Sequence, residues 1–169
     1  MLPELSKRFE VIIFNTSEFE DEISLYAKKF CQWINVKAKN EYEIADIIYG
    51  KKVDVLVDSS GLTRTNNLGV FKLRPSNNQI SWAGWLASTN LKEMDYVISD
   101  NFCTQKKDEK FFTEKILRMK NIWCTYSLSV LENLNLKKEN NSEPFVIYGC
   151  FQRPEKITQR VLTTWMNIL

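Results

Sequence analysis

The chain of 169 residues contains no histidine, and this absence excludes several kinds of chemistry. Without histidine there is no Ser-His-Asp or Cys-His nucleophile pair, no histidine metal site and no imidazole general base. Any chemistry that the chain performs must therefore use carboxylates, lysines, tyrosines or backbone groups.

Paired cysteines, a strong charge of one sign and long apolar runs are also lacking. The four cysteines never form a C-x-x-C pair, so we expect no metal site. With 23 basic and 21 acidic residues the net charge is +2, which gives no reason to expect a nucleic-acid partner. No stretch approaches the ~18 apolar residues of a spanning helix, and residues 1–10 lack a signal-peptide core. We therefore expect a cytosolic protein without a membrane partner.

Two capping patterns predict helices in the first fifty residues. Ser17 followed by Glu20 has the form of a capping box, and so does Asn40 followed by Glu43. The second of these helices should end near Gly50. Short β-branched and aromatic runs at 9–14 and 32–36 predict strands. The first helix should bury one stripe, formed by Ile23, Tyr26, Ala27 and Phe30.

Further along, predicted strands alternate with short helices. Val53–Val57 is nearly continuous in β-branched residues, as expected of a strand covered on both faces, and Asp58–Gly61 predicts a turn after it. This alternation predicts an α/β fold with a Rossmann-like, mainly parallel sheet. The later elements are predicted as a helix at Leu68–Phe71, strands at Gln79–Trp82 and Tyr96–Ser99, a helix at Phe111–Met119 and a strand at Ile122–Cys124.

The last part of the chain differs in composition. Residues 134–143 are polar and rich in asparagine, which predicts a linker. Phe145–Tyr148 then predicts a strand, and Pro154 should open a helix. One strand and one helix cannot bury a core alone. We therefore predict a domain at residues 1–133, a linker at 134–143, and a strand and helix at 144–169 that belong to something larger. The apolar face of the predicted helix consists of Ile157, Val161, Leu162, Trp165 and Leu169.

Several segments resemble the catalytic region of the O-linked N-acetylglucosamine transferase family, including its Spindly-like members. Val53–Tyr96 carries a Ser-Gly-x-Thr turn, a Leu-Gly-Val-Phe run, a Trp-x-Gly-aromatic loop and a Met-Asp-Tyr, and Tyr148–Thr158 resembles the start of the family's second lobe. The resemblance covers about residues 9–169. It implies the N-terminal lobe of a two-lobed glycosyltransferase B-type fold, followed by the first βα unit of the second lobe.

The resemblance implies four donor-binding residues and no assigned catalytic residue. Gly84, with Ala83 before it, lies in a loop where a glycine lets the backbone approach the donor sugar. Lys156 corresponds to a lysine that contacts the donor diphosphate, and Arg153 stands where the family has glutamine or arginine near the nucleotide. From spacing alone, Lys156 is better interpreted as a solvated lysine in the first turn of a helix. Gly84 could equally be a bend between core tryptophans.

The sequence also departs from the family's pattern. Leu62 replaces the histidine of the Ser-Gly-His-Thr turn, and Leu86, Ala87 and Asn90 alter the loop after Gly84. A strand and an Asp-Phe-x-x-His segment that precede the position of Leu2 in the family are absent, as is most of the second lobe. Asp58 follows a predicted strand, where α/β proteins place ligands, but it is better interpreted as a turn-capping residue than as a ligand.

Three functional hypotheses remain open. The first is a fragment of a protein O-glycosyltransferase, inactive alone, that moves N-acetylglucosamine from UDP-N-acetylglucosamine, or fucose in Spindly-like members, to an acceptor protein's Ser or Thr without metal or cofactor. The second is a non-catalytic remnant or interaction module that docks a second polypeptide supplying the missing lobe, through Val161, Leu162 and Trp165. The third, an unrelated Rossmann-like binder, lacks a G-x-G-x-x-G motif.

Overall fold

The computed structural model describes residues 1–63, 66–124 and 145–169. The chain divides into two compact units, Met1–Tyr126 and Ser127–Leu169. The predicted linker at 134–143 lies outside the described residues. In the three described ranges, no helix is long and apolar enough to cross a membrane.

The first unit alternates helices and strands, as predicted. Its helices are α1 Leu2–Leu5, α2 Glu22–Ala27, α3 Glu41–Gly50 and α4 Leu68–Lys72, with a 3-10 helix at Lys106–Phe111. Its strands are β1 Ile12–Asn15, β2 Gln32–Asn35, β3 Val55–Asp58, β4 Asn78–Ser81, β5 Tyr96–Ser99 and β6 Lys115–Arg118.

All described strand pairs are parallel. β1 pairs with β2 in a two-stranded sheet, and a four-stranded sheet has the order β3-β4-β5-β6. Because parallel strands need crossover connections, helices and loops return the chain each time to the same end of the sheet. The predicted α/β class with a mainly parallel sheet is confirmed.

Helix α3 lies at the centre of the first unit's core. Its start is the predicted capping box: the Asn40 side chain accepts from the Glu43 N–H, and the Glu43 carboxylate accepts from the Asn40 N–H at 2.8 Å. The helix ends at Gly50, as predicted. The left-handed conformation that often follows a helix end is adopted two residues later, by Lys52 with a φ of 52°. The buried cluster around α3 draws on both sheets and consists of Val36, Ile44, Ala45, Ile48, Leu56, Leu68, Val70, Phe71 and Met94, with Phe14 and Ile34 packed against it.

The capping box predicted at Ser17 is wrong. The Ser17 hydroxyl accepts from the N–H of Phe19, two residues on, and so forms a local turn instead of a cap. Helix α2 starts later, at Glu22, with Asp21 as its N-cap. Of the predicted buried stripe only Ala27 is buried, and Ile23 is 74% exposed.

Strand β3 is not covered on both faces, contrary to the prediction. Leu56 and Asp58 are buried, whereas Val55 and Val57 are 47% and 44% exposed. Leu56 packs in the buried cluster with residues of α3 and α4, so these two helices lie on the face that carries Leu56 and not on the face of Val55 and Val57.

The predicted helix at Phe111–Met119 is also wrong. Residues 115–118 form strand β6, which pairs with β5. The residues predicted as a last strand, 122–124, do not form one, because the Trp123 N–H donates to the Asp100 carboxylate and the Trp123 carbonyl accepts from the Trp82 indole. These bonds use the backbone groups that a sheet would need.

In the second unit, the strand predicted at Phe145–Tyr148 is not formed. These residues are exposed, and no strand pairs with them among the described residues. The helix begins later than predicted: a 3-10 turn covers Pro154–Lys156, and helix α5 covers Gln159–Ile168 with Thr158 as N-cap. The first N–H groups of a helical turn have no partner within the turn. Proline has no N–H, so Pro154 fits this position.

Candidate functional site

The loops at the carboxyl ends of β3, β4 and β5 meet at one edge of the four-stranded sheet. Open α/β sheets bind their ligands at this edge. Three segments form it: the turn after Asp58, the loop that begins at Trp82, and the turn after Asp100. Ala83 and Gly84, two of the four residues predicted to bind the donor, lie in the second of these segments.

Asp58 shapes the first of these turns. Its carboxylate is buried and accepts from the N–H groups of Ser60 at 3.0 Å and Gly61 at 2.9 Å. The interpretation of Asp58 as a turn-capping residue is therefore confirmed. Gly61 has a φ of 55°, a left-handed conformation that favours glycine.

Two glycines allow the first turn to pack closely against the second loop. A Cβ on Gly61 would lie 2.0 Å from the Cβ of Trp85, and a Cβ on Gly84 would lie 2.1 Å from the Ser59 carbonyl oxygen. The Trp82 N–H donates to the Asp58 carbonyl at 2.8 Å and continues the pairing of β3 with β4. Close packing against Ser59 is therefore enough by itself to require glycine at position 84.

Ala83, which precedes Gly84, carries backbone strain. Its φ of 75° is rarely adopted by residues with a Cβ. The residue is exposed, so packing around its side chain does not impose this conformation. Strained backbone of this kind clusters at ligand-binding positions.

Asp100 organises the third turn. One carboxylate oxygen accepts from the N–H groups of Phe102 at 2.8 Å and Cys103 at 2.7 Å, and the other accepts from the Trp123 N–H at 2.8 Å. The hydrogen bond from the Cys103 N–H is the main reason that the pKa of Asp100 lies below its ordinary value; burial opposes the shift, and the bonds from Trp123 and Phe102 add to it. The resemblance implies only a structural position for Asp100, and its contacts with the turn and with Trp123 were not predicted.

A buried glutamate holds the far end of the loop that begins at Trp82. Glu114 accepts from the Ser88 hydroxyl at 2.8 Å, from the Thr89 N–H at 2.7 Å and from the Thr89 hydroxyl. Burial is the largest single influence and raises the pKa of Glu114, but the hydrogen bonds from Thr89 and Ser88 together outweigh it and leave the pKa below its ordinary value. The sequence analysis assigned no role to Glu114.

Lys156 and Arg153 belong to the second unit. Both side chains are exposed, and the Lys156 N–H donates to the Arg153 carbonyl at 3.0 Å to close the 3-10 turn. Lys156 lies two residues before the N-cap of α5, Thr158, and not within the first helical turn as predicted. The donor-binding roles of Lys156, Arg153, Gly84 and Ala83 stay predictions.

A cleft that the sequence did not reveal lies elsewhere in the first unit. Its volume is about 220 Å³, and it opens where the chain leaves β1 and β2 and enters α4. Asn67 donates to the Thr16 hydroxyl across it at 3.3 Å. The sequence offered one signal for this cleft: several of its lining residues are polar and follow predicted strands, and such residues lie together at the carboxyl edge of a parallel sheet. The lining consists of Thr16, Val36, Lys37, Lys39, Ile44, Asn66 and Asn67.

Comparison with known proteins places the first unit in one family. Residues 6–127 match Glycosyl transferase family 41. The chain is 30% identical over 154 residues to a probable UDP-N-acetylglucosamine--peptide N-acetylglucosaminyltransferase SPINDLY from Solanum lycopersicum, which covers 91% of the chain but 16% of the relative. The Arabidopsis thaliana SPINDLY protein is 28% identical over 170 residues, covering 96% of the chain and 18% of the relative.

A solved structure supports the fold. A lysine-to-methionine mutant of the Thermobaculum terrenum O-GlcNAc transferase superposes with a TM-score of 0.68 at 20% identity, covering 72% of this chain and 24% of that one. The parallel sheets described above therefore match a Rossmann-like lobe of a glycosyltransferase. Together with the match over residues 6–127, this places the chain in glycosyl transferase family 41, among its Spindly-like and O-GlcNAc transferase-like members.

Proposed function

We propose that the chain is part of a protein O-glycosyltransferase that moves N-acetylglucosamine from UDP-N-acetylglucosamine to serine or threonine hydroxyls. The observation that carries the proposal is the family match over residues 6–127, supported by relatives named as peptide N-acetylglucosaminyltransferases. The chain spans 16% to 18% of the length of those two relatives, so it supplies only part of what they contain.

In this proposal, each unit is considered by itself. In the first unit, the strained backbone of Ala83 and the neighbouring Gly84 contact the donor sugar. In the second unit, the Lys156 ammonium and the Arg153 guanidinium neutralise a diphosphate. Positive charge at this place stabilises the leaving UDP, because negative charge develops on the diphosphate as the glycosidic bond breaks. The α5 N-terminus, two residues beyond Lys156, adds a partial positive charge of the same sign.

We also propose that the chain alone does not catalyse the transfer. Transfer to a hydroxyl is helped by a group that removes its proton, and the chain has no histidine for this step. Two carboxylates at the carboxyl edge, Asp58 and Asp100, already accept backbone N–H groups. A carboxylate with a lowered pKa, as in Asp100, is also a weaker base.

Replacing Lys156 by alanine is the direct test of donor binding. We expect Lys156→Ala to weaken UDP binding by at least tenfold, because the variant loses the charge opposite the diphosphate. Binding is measured by NMR titration of the purified chain with UDP. Arg160→Ala is the matched control, since Arg160 is an exposed cation on the neighbouring helix turn and should leave the affinity within twofold. Equal losses in both variants would refute a specific role for Lys156.

The same protein also tests activity, with radiolabelled UDP-N-acetylglucosamine and a serine-containing acceptor peptide. No transfer above background is expected from the chain alone. Robust transfer that Lys156→Ala abolishes would confirm the transferase activity and contradict the statement that the chain is inactive alone.

A second candidate function is an interaction module that docks another polypeptide. The observation that favours it is the apolar surface of the second unit, where Leu162 and Trp165 are 40% and 37% exposed and Met166 and Ile168 are exposed further. Exposed apolar patches of this kind mark interaction surfaces. Because the apolar face is uncovered when the partner is absent, the chain alone should associate with itself. Analytical ultracentrifugation should detect this self-association, and Leu162→Asp combined with Trp165→Asp should abolish it. A monomer at all concentrations argues against this function.

A further inference from the structure

Strand β6 ends the order β3-β4-β5-β6, so one of its edges pairs with no strand among the described residues. At its other edge, the N–H groups of Lys115 and Met119 donate to carbonyls at either end of β5, at 2.9 and 2.7 Å. In a parallel ladder, the backbone groups of successive residues point to alternate edges. The odd-numbered residues therefore face β5, whereas Ile116 and Arg118 direct their N–H and C=O groups to the free edge.

The side chain of Arg118 is turned back from this free edge. Its guanidinium forms a salt bridge with the Glu109 carboxylate at 2.8 Å and donates to the Thr104 carbonyl at 3.1 Å. Both partners belong to the crossover that connects β5 with β6. Within residues 1–63, 66–124 and 145–169, no hydrogen bond uses the backbone groups of Ile116 or Arg118 on the free edge. The edge thus offers two N–H donors and two carbonyl acceptors to a further strand.

Positive charge is concentrated around the free edge of β6. Residues 106–120 contain six basic and three acidic residues, a net charge of +3, whereas the whole chain has a net charge of +2. Lys110, Lys115 and Lys120 are exposed, and none of them forms a salt bridge with a described carboxylate. Two copies of this edge would repel each other, because like charges on facing strands are destabilising. The charge therefore favours an acidic ligand over a second copy of the chain.

Apolar side chains accompany the charge along β6. Lys115 and Leu117 point to the face of the sheet that also carries Val55 and Val57, and Met119 continues this alternation. Leu117 and Met119 are 41% and 45% exposed. Lysine alone is enough to protect an edge strand against aggregation. Exposed apolar side chains beside it are instead typical of a surface that a ligand covers.

We propose that the free edge of β6 binds an extended acidic segment of a partner protein, which joins the sheet as an antiparallel strand. Antiparallel pairing is slightly more stable per residue than parallel pairing. The backbone of the segment bonds the N–H and C=O groups of Ile116 and Arg118. On the exposed face, one of its carboxylates lies opposite Lys115, and apolar side chains lie opposite Leu117 and Met119. Backbone hydrogen bonds supply affinity in this arrangement, and the alternate side chains supply specificity.

Hydrogen exchange of the intact chain with a synthetic peptide tests the proposal. The probe is Thr-Val-Thr-Val-Thr-Glu-Thr, blocked at both ends and present at millimolar concentration, and exchange is followed by NMR. We expect the amide protons of Ile116 and Arg118 to exchange rapidly in the free chain and at least tenfold more slowly with the peptide. The amide of Leu117, which faces β5, is the internal control and should be protected throughout.

A charge exchange tests the contact with Lys115. A second peptide with lysine in place of glutamate should leave the exchange rates of Ile116 and Arg118 within twofold of those in the free chain. In Lys115→Glu the preference should reverse, so that the lysine peptide protects and the glutamate peptide does not. Lys51→Glu removes an exposed cation at the end of α3 and should keep the original preference.

Four results would overturn the proposal. The first is equal protection by both peptides or by neither, and the second is an unchanged preference in Lys115→Glu. The third is equal protection by an oligothymidylate, which has negative charge but no backbone N–H groups. The fourth is protection without peptide: if dilution removes it, a second copy occupies the edge, and if it persists, another segment of the same chain does. The test is independent of donor binding, so its failure would not affect the proposed transferase function.

Discussion

Gly84→Ala is expected to lower the free energy of unfolding by about 2 to 4 kcal/mol, which is a large share of the stability of a domain. The added Cβ would lie 2.1 Å from the Ser59 carbonyl oxygen and 2.6 Å from its carbon. Both are backbone atoms of a turn that Asp58 holds in place, so they cannot move aside as a flexible side chain can. Relief requires separating the two loops that form the carboxyl edge.

Urea unfolding followed by tryptophan fluorescence measures this change. Gly50→Ala is the matched control, since a Cβ there would meet nothing within 4 Å at the end of α3. Alanine is a better helix former than glycine, so Gly50→Ala should raise the free energy of unfolding by roughly 0.5 kcal/mol. The interlocking of the two loops would be refuted if both variants gave the same small shift.

Glu114→Gln should cost about 2 kcal/mol at pH 7, because hydrogen bonds to a buried carboxylate are stronger than those to a neutral amide. Glutamine keeps the shape of the side chain but replaces one acceptor oxygen by a donor. That donor would face the Ser88 hydroxyl or the Thr89 N–H and hydroxyl, which now donate to the carboxylate.

The difference between wild type and Glu114→Gln should depend on pH. The pKa of Glu114 is lower in the folded protein than in the unfolded chain, so the carboxylate contributes its stability above the unfolded value of about 4.3 and loses it as pH falls. Urea unfolding at pH 7 and near pH 3.5 should show the difference shrinking. Glu10→Gln, at an exposed position, should leave stability unchanged at both values. A pH-independent difference would contradict the role of the charge.

The sequence predicted most of the parallel sheet because its strands are short β-branched runs bounded by turn residues. It also predicted the capping box at Asn40, where both partners of the reciprocal pair are present. At Ser17 the same spacing failed, because a serine hydroxyl binds equally well to the N–H of a nearby turn and Asp21 lies close enough to cap the helix instead.

Tertiary contacts decided the region that was predicted as a helix. Lysine and glutamate in residues 111–119 favour a helix, but the edge of β5 pairs with residues 115–118 and imposes a strand. Arg118 then pairs with Glu109 at 2.8 Å and donates to the Thr104 carbonyl at 3.1 Å. The propensities of a four-residue segment cannot compete with a full set of ladder hydrogen bonds.

The candidate site could be located from sequence only as an edge of the sheet. The glycine at position 84 was found through its motif, but its contact with Ser59 depends on how two loops meet in space. The same is true of Asp100 and Glu114, which are distant in sequence from Trp123 and Thr89, the residues that they bind. Such contacts leave no periodic signal in the chain.

The order β3-β4-β5-β6 has a consequence for biosynthesis. Each of these strands pairs with the one that follows it in the chain, so every new strand finds a finished neighbour as soon as it is made. Contacts between near neighbours in sequence close small loops and form quickly. This half of the first unit can therefore assemble progressively during translation, while the ribosome is still extending the polypeptide.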